Sequence, residues 1–218
     1  MSFGIARKKI LDVGEVGIEM RSLPSPEDGL IDPRSWFVNP LSPLEIEIGS
    51  GKGTFLLQEA KRRSEVNYIG FEWSNEFYRY AADRIRRSDL KNVKVVFGDA
   101  TEFFKFWCGL QVVDVIHLYF SDPWPKKRHH KRRVIQKHSL QMFHRVLASQ
   151  GEMRIVTDHD QLWEWYKEHF EKNKQYFSQQ QFEKALSANE NELVGSNFER
   201  KYRKEGRPFY STTLVRND

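Results

Sequence analysis

From Leu44 onward the chain alternates short runs rich in Val and Ile with longer amphipathic stretches, and few folds accommodate that rhythm. Strands buried on both faces read as continuous apolar runs, and the amphipathic stretches between them cross over as helices. The pattern therefore specifies βαβ units and an α/β fold with a mostly parallel sheet. Strands are expected at 44–48, 67–71, 94–97, 113–120 and 152–157, with helices at 53–63, 75–87, 101–107 and 132–148. Segment 160–173 places Leu162, Trp163, Tyr166 and Phe170 at helical spacing, which reads as a helix covering the sheet with these side chains in the core. The alternation over 209–215 fits a last strand, antiparallel to its neighbours. Residues 1–43 carry Pro24, Pro26, Pro33, Pro40 and Pro43 without sustained periodicity, the composition of an arm laid over a core formed by 44–218.

A chain of 218 residues with 39% hydrophobic residues suffices for one packed α/β domain. Its 35 Lys and Arg exceed its 30 acids, and a net charge of +5 suits a polyanionic partner. Cys108 is the only cysteine, which excludes an intrachain disulfide and a cysteine-cluster zinc site, and no metal-ligand pattern stands out. With no apolar run long enough for a signal peptide or a membrane span, the expected location is the cytoplasm.

The segment Leu44-Glu-Ile-Glu-Ile-Gly-Ser-Gly-Lys-Gly-Thr-Phe runs from a strand through a glycine turn into a helix, the place where open α/β sheets bind nucleotides. Gly49, Gly51 and Gly53 permit turn conformations and close approach of a ligand to the backbone. The dinucleotide fingerprint wants a glycine three positions after Gly51, where Thr54 stands. Glu47, just before the turn, would repel a pyrophosphate and attract a cation. Glu72 ends the second strand about twenty residues past the glycines, where an acid accepts hydrogen bonds from ribose hydroxyls. Asp99, followed by Ala100, ends the third and could hold an adenine amino group. A lone acid at a strand tip is commonly a helix cap, but three on successive tips beside a glycine turn favour a nucleoside site with a cationic end.

This arrangement resembles the class I methyltransferases, whose Glu-x-Gly-x-Gly-x-Gly signature stands here as Glu47-Ile-Gly-Ser-Gly-Lys-Gly53. The resemblance implies a Rossmann-like, seven-stranded, mostly parallel sheet with helices on both faces and an antiparallel last strand. It also implies S-adenosyl-L-methionine as cofactor, with Glu47 near its amino-acid end, Glu72 at the ribose and Asp99 at the adenine.

The fourth strand leads into Ser121-Asp-Pro-Trp-Pro-Lys126, where Pro123 and Pro125 disfavour helix at Asp122 and Trp124 and suggest a stiff, extended turn. From Lys126 to Arg133 come six Lys or Arg residues and two histidines with no acid among them. A solvated loop is the plain alternative, yet a run beginning four residues past Asp122 suits a site that takes a polyanion. Lys126, Lys127, Arg128, Lys131, Arg132 and Arg133 would neutralise phosphates. Trp124 could stack on a base or pack against the cofactor loop. His117, inside an apolar strand, reads as a hydrogen-bonded core histidine.

Asp-Pro-Trp-x-Lys followed by a His, Lys and Arg run is similar to the bacterial tRNA (guanine-N7-)-methyltransferases, over residues from about 44 to 215. That likeness implies methyl transfer to a variable-loop guanosine in tRNA, with Asp122 as the catalytic acid and Lys126 as a tRNA contact. It implies that Asp158, in Thr157-Asp158, also contacts substrate, where the residues alone suggest a helix cap. The family's Thr-x-Phe-Glu element, which the likeness makes a set of substrate contacts, stands here as Ser196-Asn197-Phe198-Glu199, with Ser for Thr and with Asn197 where some members carry Lys. Relatives of this kind act without a partner protein, as monomer or homodimer. The competing readings are a class I methyltransferase for another RNA, a small molecule or a protein, which leaves the basic run idle, and a non-catalytic RNA-binding protein that kept the fold.

Overall fold

The structure is a computed structural model that describes residues 11–218. Eight strands form one sheet: β1 (Gly17–Glu19), β2 (Leu44–Ile48), β3 (Asn67–Glu72), β4 (Val93–Phe97), β5 (Val113–Tyr119), β6 (Leu147–Thr157), β7 (Phe177–Gln180) and β8 (Tyr210–Arg216), in the order β1-β4-β3-β2-β5-β6-β8-β7. The pairings from β1 through β6 are all parallel, and β8 lies antiparallel between β6 and β7. The α-helices are α1 (Thr54–Arg62), α2 (Asn75–Arg86), α3 (Ala100–Phe106), α4 (Lys137–Val146), α5 (Asp160–Glu171) and α6 (Asn197–Lys204).

Each face of the sheet buries its own core. Leu44, Ile46, Ile48, Ile69, Phe71, Ile116 and Leu118 point to the side of α3, α4 and α5, where Phe103, Phe104, Phe143, Leu162 and Tyr166 meet them. Tyr68, Val93, Val95 and Tyr119 point to the side of α1 and α2, against Phe55, Leu56, Tyr78 and Ile85. Strand β2 alternates between the two, so its acids Glu45 and Glu47 fall on the α1 side, both buried. Glu45 is answered there: His117 Nε2 lies 2.8 Å from its Oε2, and Arg63 donates to its Oε1 at 2.7 Å. The other nitrogen of His117 meets the Tyr119 hydroxyl at 2.7 Å, which makes it the core histidine expected.

Two strands have no signal in the sequence. Strand β1 is three residues of the proline-rich segment, too short for periodicity, and it pairs with β4 while Val16 and Met20 flank it in the core. Strand β7 buries only Phe177 of its four residues, because it lies at the sheet edge. Thus the sheet has eight strands where seven were expected. The helix expected from 132 starts instead at Lys137, behind a 3-10 helix at Lys127–Arg132. Gln136 closes the break, its backbone N–H donating to Ser139 Oγ at 2.8 Å.

Strand order reverses between β2 and β5, and the carboxyl ends of the parallel strands share one edge. Such a reversal opens a crevice, and Glu72 at the end of β3 and Asp99 just past β4 stand on the sheet edge that borders it.

Candidate functional site

The glycine turn after β2 needs its glycines for different reasons. Gly49, Gly51 and Gly53 all adopt left-handed backbone conformations, with φ of 81°, 53° and 64°. A Cβ on Gly49 would meet only open space, whereas one on Gly53 would press on Ala81 Cβ at 3.1 Å, so Gly53 brings α1 against α2. Gly70 of β3 has no side chain because Ser50 sits there: a Cβ would lie 2.8 Å from Ser50 Cβ. The N–H groups of Gly49 and Ser50 both donate to the Phe71 carbonyl at 2.9 Å.

Glu72 completes that tether. Its Oε2 accepts the Gly51 N–H and its Oε1 the Ser74 N–H, each at 2.8 Å, so one carboxylate fixes the glycine turn against the tip of β3. Burial pushes the Glu72 carboxyl up, these N–H donors oppose the rise, and the nearby Asp122 charge adds to it. Glu47 is only 5% exposed, and its Oε2 has no hydrogen-bond partner. Its carboxyl stands well above the ordinary range through burial and then through the charge of Glu72. Ser50 Oγ is likewise buried without a partner. Together these groups demand a ligand that brings a cation and hydrogen-bond donors.

Asp99 is exposed at the tip of β4 and caps α3, its Oδ1 accepting the N–H groups of Thr101 and Glu102. Ala100 is the buried first residue of that helix. Trp73, directly after Glu72, is 76% exposed at the same edge. Tyr166 of α5 is buried, its hydroxyl 2.7 Å from Ser121 Oγ. Sequence reasoning assigned no role to Ser50 or Ser121, of which only Ser50, inside the glycine turn, carried a usable signal, and it placed Tyr166 in the core, where the structure has it.

The segment after β5 is not the extended turn its prolines suggested. Phe120 and Trp124 are left-handed, with φ of 53° and 44°, conformations that bulky side chains adopt at a cost of about 1 kcal/mol or more. The proline after Trp124 disfavours the right-handed helical region, and the ring of the left-handed Trp124 has its own contacts. Arg132 places its guanidinium 4.8 Å from the Trp124 ring centre, and His129 meets that ring edge-on. Asp122 is exposed at the turn.

Within the basic run, Lys126, Lys127, Arg128, Lys131 and Arg132 are exposed, and no carboxylate among the described residues pairs with Lys126, Lys127 or Lys131. Arg133 turns the other way. It is 4% exposed, donates from Nε to the Pro123 carbonyl at 2.9 Å and covers the Trp165 ring, so it braces the Asp122 turn instead of facing solvent with the rest.

Asp158 does not cap α5, contrary to the residue-level reading. His159 is the cap, accepting the Leu162 N–H, while Asp158 Oδ2 accepts a hydrogen bond from Arg207 Nη1 at 2.6 Å. On α6, Ser196 caps the helix and Asn197 Nδ2 donates to Thr54 Oγ1 at 2.9 Å, which docks α6 on the start of α1. Phe198 is exposed beside Gly51, 3.7 Å from where a Cβ there would stand. Glu199 is completely buried and accepts the N–H groups of Leu193, Val194 and Gly195 while pairing with Arg203. Glu199 therefore shapes the loop leading into α6, and Phe198 and Asn197 are the residues of this element that reach the cleft.

No group of three His, Cys, Asp or Glu residues among the described residues could hold a metal, and no described helix is long and apolar enough to cross a membrane.

The sequence model of a family described as putative methyltransferase matches residues 42–212. A tRNA (guanine-N(7)-)-methyltransferase of Streptococcus mutans is 33% identical over 168 residues, which are 77% of this chain and 79% of that protein. Proteins of the same name align over shorter stretches: 41% identity over 62% of this chain and 52% of the Rhodopirellula baltica protein, and 37% over 56% of this chain and 58% of the Streptococcus gordonii protein. Among solved structures, the aminoglycoside resistance methyltransferase NpmB1 superimposes with a TM-score of 0.56 at 16% identity, over 87% of this chain and 95% of that one. A SAM dependent methyltransferase from Aquifex aeolicus gives 0.52 at 14%, over 81% and 83%. At such identities the structural likeness is one of fold.

Proposed function

Because the chain belongs to the family of tRNA (guanine-N7-)-methyltransferases, we propose that it methylates N7 of a variable-loop guanosine in tRNA, with S-adenosyl-L-methionine as the methyl donor. The observation that carries this reading is the junction of two opposite demands. Glu47, Glu72 and Asp122 gather carboxyl groups that lack a cation, and close to Asp122 in the chain Lys126, Lys127 and Lys131 present positive charge that lacks an anion.

The residues fit the cofactor. Glu47 Oε2 and Ser50 Oγ, both buried and unsatisfied, would accept from its ammonium group, and the open space at Gly49 leaves room for its chain. Glu72 keeps capacity for ribose hydroxyls beyond its two backbone donors, and Asp99 with Ala100 borders the adenine. When bound, S-adenosyl-L-methionine supplies a methyl group on a sulfonium, whose departure leaves a neutral thioether.

Neutral guanine N7 already offers a lone pair in the plane of the ring, so the protein needs no general base. It must place N7 in line with the methyl group and offset the positive charge that grows on the imidazole ring. Asp122 performs the second task from a turn whose backbone Arg133 braces, and a turn held this firmly loses little to reorganisation. Trp124, Phe198 and Asn197 border the approach to the base, and Asp158 meets the substrate from the tip of β6. The exposed run of Lys126, Lys127, Arg128, Lys131 and Arg132 neutralises phosphates and aligns the loop. On this reading the enzyme works without an obligate protein partner, in the compartment that holds tRNA, the cytoplasm.

Incubating the protein with methyl-labelled cofactor and unmodified tRNA transcripts, then mapping the label by aniline cleavage, tests the reading. Label at a variable-loop guanine N7 supports it. Cofactor binding with no transfer to any tRNA moves the assignment to a small-molecule or protein substrate.

A further inference from the structure

We propose that Arg207 is a placeholder for the guanine base: in the free enzyme its guanidinium occupies Asp158, and tRNA binding draws it onto a backbone phosphate while the guanine takes its place. The inference rests on the tRNA reading above and goes one step past it, to how the acid at the tip of β6 is kept and released.

Three observations carry it. Asp158 holds its carboxylate 10% exposed, with Arg207 Nη1 on its Oδ2 at 2.6 Å. Arg207 itself is 41% exposed, which leaves one side of the guanidinium open to solvent and to RNA. It stands on the connection between α6 and β8, directly after Gly206, whose φ of 68° and open surroundings allow the segment to turn without a clash.

The chemistry explains why this residue type suits the position. The Watson–Crick edge of guanine presents N1–H and N2–H2, two adjacent donors on a guanidine unit, and a carboxylate accepts them as it accepts the fork of an arginine. Arg207 thus satisfies Asp158 with the same donor pattern the substrate brings. The surroundings also fit a base. Tyr202 lies under the Arg207 guanidinium at 4.1 Å and within 6.0 Å of the Phe198 and Phe120 rings. Burial first, then the field of Asp158 and, last, that of Asp122 push its hydroxyl up. A planar cation resting on an aromatic ring against Asp158 is replaced by a planar base, and Arg207, with Glu205 2.6 Å away as its remaining anchor, swings to a phosphate.

The test compares wild type with Arg207→Gln, Arg207→Lys and Asp158→Asn, using transcripts with guanosine or inosine at the methylated position. Inosine keeps N7 and N1–H but lacks the N2 amine. Wild type favours guanosine by about tenfold in kcat/KM, the worth of one hydrogen bond to a charged group. In Asp158→Asn that preference collapses towards one. Arg207→Gln keeps the preference but lowers the slope of log tRNA affinity against log salt by about 0.7, one phosphate contact, and Arg207→Lys restores the slope. Binding of S-adenosylhomocysteine, measured by calorimetry, stays as in wild type in all three; Asp158→Ala replaces Asp158→Asn, and Arg207→Ala replaces Arg207→Gln, where either fails this check. An unaltered slope in Arg207→Gln, or guanosine preference persisting without the Asp158 carboxylate, overturns the exchange. Absence of N7 label with wild type overturns the tRNA reading itself, and the exchange with it.

Discussion

Glu47 is a carboxyl group that the fold holds in an environment built for a cation, and its protonation should report that. Its folded-state pKa lies well above the ordinary 4.5, first through burial and then through Glu72. A raised carboxyl favours the protonated form in the fold, so its stabilising contribution is complete below the ordinary carboxyl range and is lost as pH rises through the folded value. Without cofactor, the melting temperature should therefore fall as pH climbs from the carboxylate range to neutrality, and cofactor should reverse the fall by supplying the missing charge. Glu47→Gln should raise the neutral-pH melting temperature of the cofactor-free protein by about 2–4 °C for each kcal/mol of relieved strain, flatten its pH dependence and weaken cofactor binding. Scanning fluorimetry over that range decides it: a variant less stable than wild type at neutral pH contradicts the buried-charge account. Asp122 sits in a different regime, exposed and with its role in the transition state. Asp122→Ala should lower kcat by about 10²–10³, the scale of one preorganised electrostatic group, while tRNA affinity stays within a fewfold. Equal losses in turnover and affinity would assign Asp122 to binding alone.

At the level of elements, what the sequence revealed follows from how locally each feature is encoded. Strand β2 was legible to the residue because its glycine turn and its neighbours all constrain it at short range. Strands β1 and β7 were not, since three or four residues carry no period and are held by partners distant in the chain. The acids at the strand tips were legible because topology alone brings strand ends together. The roles of Arg133 and Glu199 were not, because a charged side chain gives no local sign that it will be buried, and each is fixed by backbone groups the sequence cannot place. The prediction at this scale concerns α6. Glu199→Ala leaves the N–H groups of Leu193, Val194 and Gly195 without their acceptor in a buried loop, where each orphaned donor costs about 1–3 kcal/mol. Chemical denaturation should show a loss of several kcal/mol. Cofactor affinity should drop as well, because Phe198 and Asn197 rest on Gly51 and Thr54. A destabilised variant with unchanged cofactor affinity would separate α6 from the cofactor turn.

Over the whole molecule the net charge of +5 is small, and its distribution matters more than its sum. Most arginines near the cleft are already committed: Arg200 to Glu192, Arg203 to Glu199 and Arg133 to Pro123. Among the described residues of the 126–133 run, Lys126, Lys127 and Lys131 have neither an acid nor a ring partner, so they can release counterions on meeting RNA without first breaking a side-chain contact. Replacing these three by Gln should weaken tRNA binding uniformly across tRNA sequences and lower the salt slope by about 2, at about 0.7 per single-strand phosphate. Melting temperature and cofactor affinity should hold, since none of the three packs on the core. Arg133→Ala is the control from the same run, and its expected profile is the inverse. The Pro123 carbonyl and the Trp165 ring lose their partner, stability falls by about 1–3 kcal/mol, kcat drops as the Asp122 turn loosens, and the salt slope stays put. Filter-binding titrations across a salt series, read beside denaturation curves, distinguish the two classes of basic residue. If Arg133→Ala flattens the slope while the lysine variant does not, the RNA runs along the α5 side of the cleft, and the division between bracing and binding cations is reversed.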